Sequence, residues 1–303
     1  MARWTNRPEG SNWGDFGVDD QIGRMNLVTP ARRLAAVREV TEGIAFSLSL
    51  PLDYPGGADL VPSRRAPRIE ATRWDSLAHW GQEFDADGDG VAEVVYYNGW
   101  RGGEHVLGAD QPGGPFARKL GPEALAETGA QGLGVLVDLA QVYGEQPVSL
   151  GYDALMRVLE GQKAVVEPGD FLCLYTGWAD LVLSMNKQPD FAKLKNACAV
   201  LDGKDTALLK WITDSGLVAI CADNLGVEAV GTAAAAGGGE KHSMMPLHEH
   251  CIFKLGIFLG ELWYFGELGP WLRKQGRSRF LLTAPPLRQP GLVGSPPRPV
   301  ATV

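Results

Sequence analysis

Cysteine is sparse and unpaired in this 303-residue chain: Cys173, Cys198, Cys221 and Cys251 are widely spaced, and no CxxC motif occurs. That pattern argues against a disulfide framework and reads as reduced, mostly buried thiols of a cytoplasmic protein. Long apolar runs are missing too. No stretch reaches the roughly 18 apolar residues that a membrane span needs, and Met1-Ala2-Arg3-Trp4 leads into polar, Gly-rich sequence rather than a secretion signal. Positive charge is in deficit, with 28 Lys and Arg against 36 Asp and Glu, a net charge of −8 and a pI near 5.2. A nucleic-acid footprint is therefore not expected. There is no GxGxxG after a strand, no Walker A loop and no GxSxG elbow, which removes the common nucleotide and serine-hydrolase signatures. Histidine is scarce as well, at five residues.

What is present is an ordinary globular composition, 45% hydrophobic and 21% charged. Residues 1–30 are rich in Gly, Asn and Asp and read as an ordered arm. Thr29-Pro30 starts a helix with a cap and a proline at its first position, and Leu34, Val37 and Val40 form its expected buried stripe. Phe46 to Leu50 alternates like a strand, and residues 61–69 read as a Pro/Arg-rich surface loop. Buried-strand patterns recur at Gly132–Leu139, Phe171–Tyr175 and Leu217–Ala222, and a further strand is expected at Phe280–Thr283. Helical spacing falls between them, from Ser149 to Leu159, from Thr206 to Asp214 (ended by Gly216) and from Leu268 to Lys274. Ile252 to Trp263 is apolar and rich in β-formers, and residues 231–239 are a low-complexity Ala/Gly tract. Strands alternating with helices predict a single α/β domain over residues 1–303, closed by an extended Pro-rich tail at 285–303.

Two groupings of side chains suggest chemistry. In Thr72-Arg73-Trp74-Asp75-Ser76-Leu77-Ala78-His79-Trp80 an acid and an imidazole sit four residues apart. On a helix beginning at Asp75 they would share a face, able to ligate a metal or to hold each other's protonation state. The plainer alternative makes Asp75 an N-cap and His79 an ordinary helix residue. Downstream, His242, His248 and His250 crowd into nine positions, followed by Glu261 after a strongly apolar run. Glu261 would be hard to bury unpaired, so it is a ligand or base facing the histidines, or an acid at a strand end in water. Asp85-x-Asp87-x-Asp89-Gly90 copies half of a calcium loop, but Tyr96 stands where the bidentate Glu belongs, so an acidic hairpin turn is the reading.

Asn12-Trp13-Gly14, Asp19-Asp20-Gln21-Ile22-Gly23, Asn26-Leu27-Val28-Thr29-Pro30 and Tyr97-Asn98-Gly99 follow one another in order along the chain. Pro168-Gly169-Asp170, Thr176-Gly177-Trp178, Asp223-Asn224, Glu228, Pro246-Leu247-His248, Glu261-Leu262-Trp263 and Gly294-Ser295-Pro296 complete the series. With these markers the chain resembles the cyclase family of hydrolases, which includes kynurenine formamidases, isatin hydrolases and some dienelactone hydrolases. The resemblance implies a swivelling β/β/α domain, often a homodimer, that uses a divalent metal such as zinc or manganese to open a small lactone, cyclic amide or formamide. It casts Asp75 and His79 as the end of the family's HxGTHxDxxxH metal motif. His248, His250 and Glu261 are further candidate ligands, and Trp13, Trp74, Trp80 and Tyr97 candidate pocket walls. The first two motif histidines fall on Ile69 and Arg73, and Ala71 replaces the glycine. Ile cannot ligate and a guanidinium keeps its charge. Two mechanisms follow: a reduced metal site, or metal-free catalysis in which Arg73 stabilises an oxyanion while Asp75 orients His79 as base. A non-hydrolytic lyase or cyclase, and an inactive small-molecule-binding homologue, are the competing functions.

Overall fold

The structure, a computed structural model, describes residues 2–51, 54, 72–229 and 243–303. Ile69, Ala71, His242, the 61–69 loop and the 231–239 tract lie outside the described residues. Four apolar runs form parallel strands at the centre of a sheet: Gln131–Asp138, Phe171–Tyr175, Ala219–Ala222 and Phe258–Glu261. Nearly every residue of these strands is buried, the signature of a parallel sheet covered on both faces. Antiparallel strands extend it on either side. The sheet order is Ala45–Ser47, Val300–Thr302, Arg279–Thr283, the four parallel strands, Arg73–Asp75 and Gly294–Ser295. Helix Pro30–Val37 packs on Gln131–Asp138 and Arg279–Thr283, and helix Tyr152–Gly161 packs on Gln131–Asp138 and on helix Thr206–Ser215. This is the expected α/β class.

Several local expectations change. Arg73–Asp75 is a strand, not the first turn of a helix, because it is paired on both sides, by Phe258–Glu261 and by Gly294–Ser295. Tertiary pairing here overrides the helix-like spacing. The Pro-rich tail is extended, yet it is woven into the sheet through Gly294–Ser295 and Val300–Thr302. Helix Pro30–Val37 has the predicted Thr29 cap, but Leu34 and Val37 face solvent at 60% and 49% exposure while Ala36 is buried. A small residue lets the helix approach the sheet closely, and Arg32 and Arg33 tie it down through Asp170, Glu167 and the Thr128 carbonyl. Ser149 belongs to a short strand, Val148–Leu150, so the following helix begins at Tyr152.

The apolar run from Ile252 is only partly strand. Residues Glu249–Lys254 form a π-helical turn directly after the short helix Pro246–His248. Its end would leave carbonyls unpaired, and the N-terminal arm supplies donors to four in succession. Trp13 Nε1 donates to Phe253 O (2.8 Å), Asn12 N to Lys254 O (3.2 Å), Asn12 Nδ2 to Leu255 O (2.9 Å) and Arg24 N to Gly256 O (3.0 Å). The arm meets this turn at Gly23, whose φ is +51° and where a Cβ would stand 2.1 Å from Gly256 O. Gly23→Ala is therefore expected to destabilise the protein by about 2–3 kcal/mol. Chemical denaturation measures this, and a loss under about 0.5 kcal/mol, the range of an inert surface change, would show that the arm contact yields freely.

Candidate active site

Strand alternation puts Arg73 and Asp75 on one face and Trp74 on the other. Trp74 goes into the core: it is fully buried, packs edge-on against Trp263 at 5.0 Å and donates its indole N–H to Ala284 O. On the opposite face, Arg73 lies directly across from Glu261 on the neighbouring strand. Past Asp75 the chain turns back, with His79 N donating to Ser76 O at 2.9 Å. This turn, rather than a helix, returns the imidazole, placing His79 Nδ1 3.7 Å from Asp75 Oδ1.

His248 enters from the turn before the π-helix. Its Nδ1 is 2.8 Å from Glu228 Oε1, and its Nε2 lies 3.5 Å from Glu261 Oε1 and 3.9 Å from Asp75 Oδ2. Asp75, His248 and Glu261 are all buried, and each offers a ligand atom within 4.8 Å of the others, a group that could hold a metal ion. Arg73 approaches the same carboxylates from the other side, bonding Glu261 Oε2 and placing Nε 3.3 Å from Asp75 Oδ1. The outward oxygens thus face the guanidinium and the inward ones face His248. Asp75 Oδ2 is buried without a hydrogen-bond partner among the described residues.

Burial and neighbouring charge oppose each other here. Burial works against a charged His248, but its hydrogen bonds to Glu228 and Glu261 and the nearby Asp75 outweigh that and push it up to about 9. Burial would likewise raise Glu261, yet Arg73 and His248 hold it well below the usual carboxylate range. Glu261 is thus a buried, paired acid.

His250 does not join the site. Residues two apart on a helix diverge by about 200°, so His248 and His250 cannot face the same centre. His250 Nε2 instead lies 2.9 Å from Thr213 Oγ1 on helix Thr206–Ser215, and burial, with Lys254 nearby, pushes it down to about 4. Of the proposed pocket walls, Trp13 and Tyr97 are core residues: Trp13 is held by Phe253 O, and the Tyr97 ring lies against the backbone of Gly256. With Trp74 in the core as well, Trp80 is the candidate that borders the centre. Its ring is 5.6 Å from that of His248, and its indole N–H is buried without a partner among the described residues.

Glu228 stands in the sequence only as one marker of the family resemblance, and sequence reasoning missed it as part of the site. Its further signal was an acid set among apolar neighbours, Val227 and Ala229. The Asp85–Asp89 loop is the acidic turn expected, its carboxylates taking the N–H groups of Gly88, Asp89, Gly90 and Val91 between the paired strands Gln82–Phe84 and Glu93–Val95. A groove of about 550 Å³ lined by Gln82, Phe84, Glu249 and Phe253 lies nearby but includes none of the central residues. No helix among the described residues is long and apolar enough to cross a membrane.

Comparison with known proteins adds a family and a fold. The family model Cyclase matches residues 65–229, more than half of the chain. A crystal structure of a novel cyclase superposes with a TM-score of 0.75 at 28% identity, covering 97% of each chain. An isatin hydrolase bound to the product analogue thioisatinate gives 0.52 at 16% identity, over 90% of this chain and 95% of its own. Isatin hydrolase A from Ralstonia solanacearum gives 0.52 at 19%, over 90% and 97%. At those two identities the likeness is one of fold alone. Among curated proteins none matches the chain.

Proposed function

This chain belongs to the cyclase family, and from that membership and its buried acid–imidazole centre we propose that it is a hydrolase opening a small lactone, cyclic amide or formamide. The observation that carries the reading is the convergence of Asp75 Oδ2, Glu261 Oε1 and His248 Nε2, with Asp75 Oδ2 buried and without a hydrogen-bond partner among the described residues. One nitrogen and two oxygens suit zinc or manganese with positions left open. Arg73 bonds the outward oxygens of the same two acids, so their inward oxygens still face His248. Asp75, His248 and Glu261 would hold the ion, which when bound supplies a Lewis acid and lowers the pKa of water.

The chain's own residues do the rest. His79 is partly exposed, and with Nδ1 turned toward Asp75 its Nε2 is free to take a proton from the attacking water and pass it to the leaving nitrogen or oxygen. Asp75 orients that ring, and Arg73 bonds both carboxylates and helps keep Glu261 ionised. Trp80 walls the side next to His248.

Purified protein assayed on lactones and N-formyl aromatic amines, with and without added zinc or manganese, tests the reading. His79→Ala is expected to lower kcat roughly 10²–10⁴-fold with metal content unchanged; equal rates would remove His79 from the mechanism. Incorporation of heavy oxygen from labelled water separates hydrolysis from elimination or ring closure. Absence of turnover under every metal condition, with tight binding of an aromatic metabolite, would instead mark a binding protein. A second reading, metal-free catalysis, is favoured by the contact of Arg73 with both acids. Activity in protein shown metal-free by elemental analysis would select it.

A further inference from the structure

We infer that Glu228 is a positioning residue that fixes which nitrogen of His248 faces the reaction centre. Its carboxylate is buried and takes three donors from one short segment: Leu247 N at 3.0 Å on Oε2, and His248 N at 2.9 Å and His248 Nδ1 at 2.8 Å on Oε1. With the backbone and ring of His248 held by a single acid, Nδ1 carries the hydrogen toward Glu228. Nε2 is the nitrogen presented to Asp75 and Glu261. A histidine ligand is commonly oriented in this way by an acid on its second nitrogen.

The surrounding chain is shaped to deliver this carboxylate. Val227, immediately before it, has a φ of +60°, a left-handed conformation that a β-branched residue adopts only when its surroundings impose it. Asn224 imposes it, accepting from Val227 N through Oδ1 while its amide donates to Ala199 O. Gly203 leaves the space: a Cβ there would stand 2.2 Å from Glu228 Oε2 and 2.9 Å from Leu247 N. Strain beside a buried acid, a bracing amide and a reserved gap all serve the contact with His248.

The inference rests on the hydrolase reading for its consequence but not for its geometry, and two measurements keep them apart. Crystal structures of Glu228→Ala and Glu228→Gln would show the His248 ring directly. The first is expected to let the ring rotate, the second to keep it near its place. Zinc titration against a competing chelator is expected to give about 10–100-fold weaker binding for Glu228→Ala and a smaller loss for Glu228→Gln. Gly134→Ala, whose Cβ would meet the Phe280 ring at 2.4 Å, controls for destabilisation alone and should leave zinc affinity unchanged. An unmoved His248 ring in Glu228→Ala overturns the inference, as does unchanged zinc affinity. Wild-type protein that binds no zinc sinks the metal reading instead and leaves the ring position to decide Glu228.

Discussion

Asp75→Asn is expected to lower kcat/KM by roughly 10³–10⁴-fold, the range lost with a central acid–base or electrostatic group, while the protein stays folded. Asp75 faces Arg73, His79 and His248 at once. Oδ1 faces Arg73 Nε at 3.3 Å and His79 Nδ1 at 3.7 Å, and Oδ2 faces His248 Nε2 at 3.9 Å. Asn keeps the shape, and the strand pairing of Arg73–Asp75 runs through the backbone, so the sheet should not change. What changes is the chemistry. An amide carries no charge, and its NH₂ must point either at Arg73 and His79 or at His248. In the first case it faces a guanidinium and an imidazole, and in the second it fills the inward position that suits a cation. Steady-state assay on the best lactone or formamide checks the loss of rate, with elemental analysis for loss of metal and a thermal melt for the fold. Retention of more than a tenth of the activity would move the chemistry away from Asp75.

How much of this could be read beforehand differs between fold and site. Three of the four parallel strands were legible because strands buried on both faces must be apolar throughout, as Gly132–Val137 and Ala219–Ala222 are; the fourth, Phe258–Glu261, is only the end of the apolar run from Ile252. The Thr206 helix was legible because its stop at Gly216 is local chemistry, a left-handed residue with φ +69°. Arg73–Asp75 was not. Its three residues have no period of their own, and their state is decided by strands 186 and 220 residues away in sequence, measured from Asp75 to Glu261 and to Ser295. The outward face of Leu34 and Val37 escaped for a related reason, since periodicity identifies an apolar stripe but not the partner that covers it. At the site, residue types pointed to Asp75, His79, His248 and Glu261, because acids and imidazoles beside apolar runs need partners. Which of His248 and His250 faces the centre depends on a π-helical turn with no sequence signature. Glu228 was visible as a marker of the resemblance, but its place at the site emerges only from asking what holds the Nδ1 of a buried histidine. Arg73, a misfit against a metal motif, becomes intelligible once the outward and inward oxygens of its two acids are told apart.

The same arrangement makes Glu261 a costly acid to remove. In chelator-treated protein, Glu261→Ala is expected to destabilise the fold by about 3–5 kcal/mol, as deletion of one partner of a buried ion pair does. Glu261 is buried and bonded to Arg73 with His248 Nε2 at 3.5 Å, so its loss removes one buried negative charge from beside two positive groups, which Asp75 and Glu228 then balance less fully. The penalty lies in the charge imbalance more than in the lost contact, and that gives a second, sharper expectation. Replacing both partners with apolar residues of similar volume, Arg73→Met with Glu261→Leu, removes the positive charge together with its counter-charge and should recover much of the stability, because such exchanges of buried pairs are often neutral or favourable. His248 keeps Glu228 and Asp75 in the double variant. Urea denaturation of the wild type, both single variants and the double variant closes the cycle. A double variant no more stable than Glu261→Ala would mean that Glu261 supports the fold through packing at the Arg73–Asp75 strand, with charge as a minor part of its role.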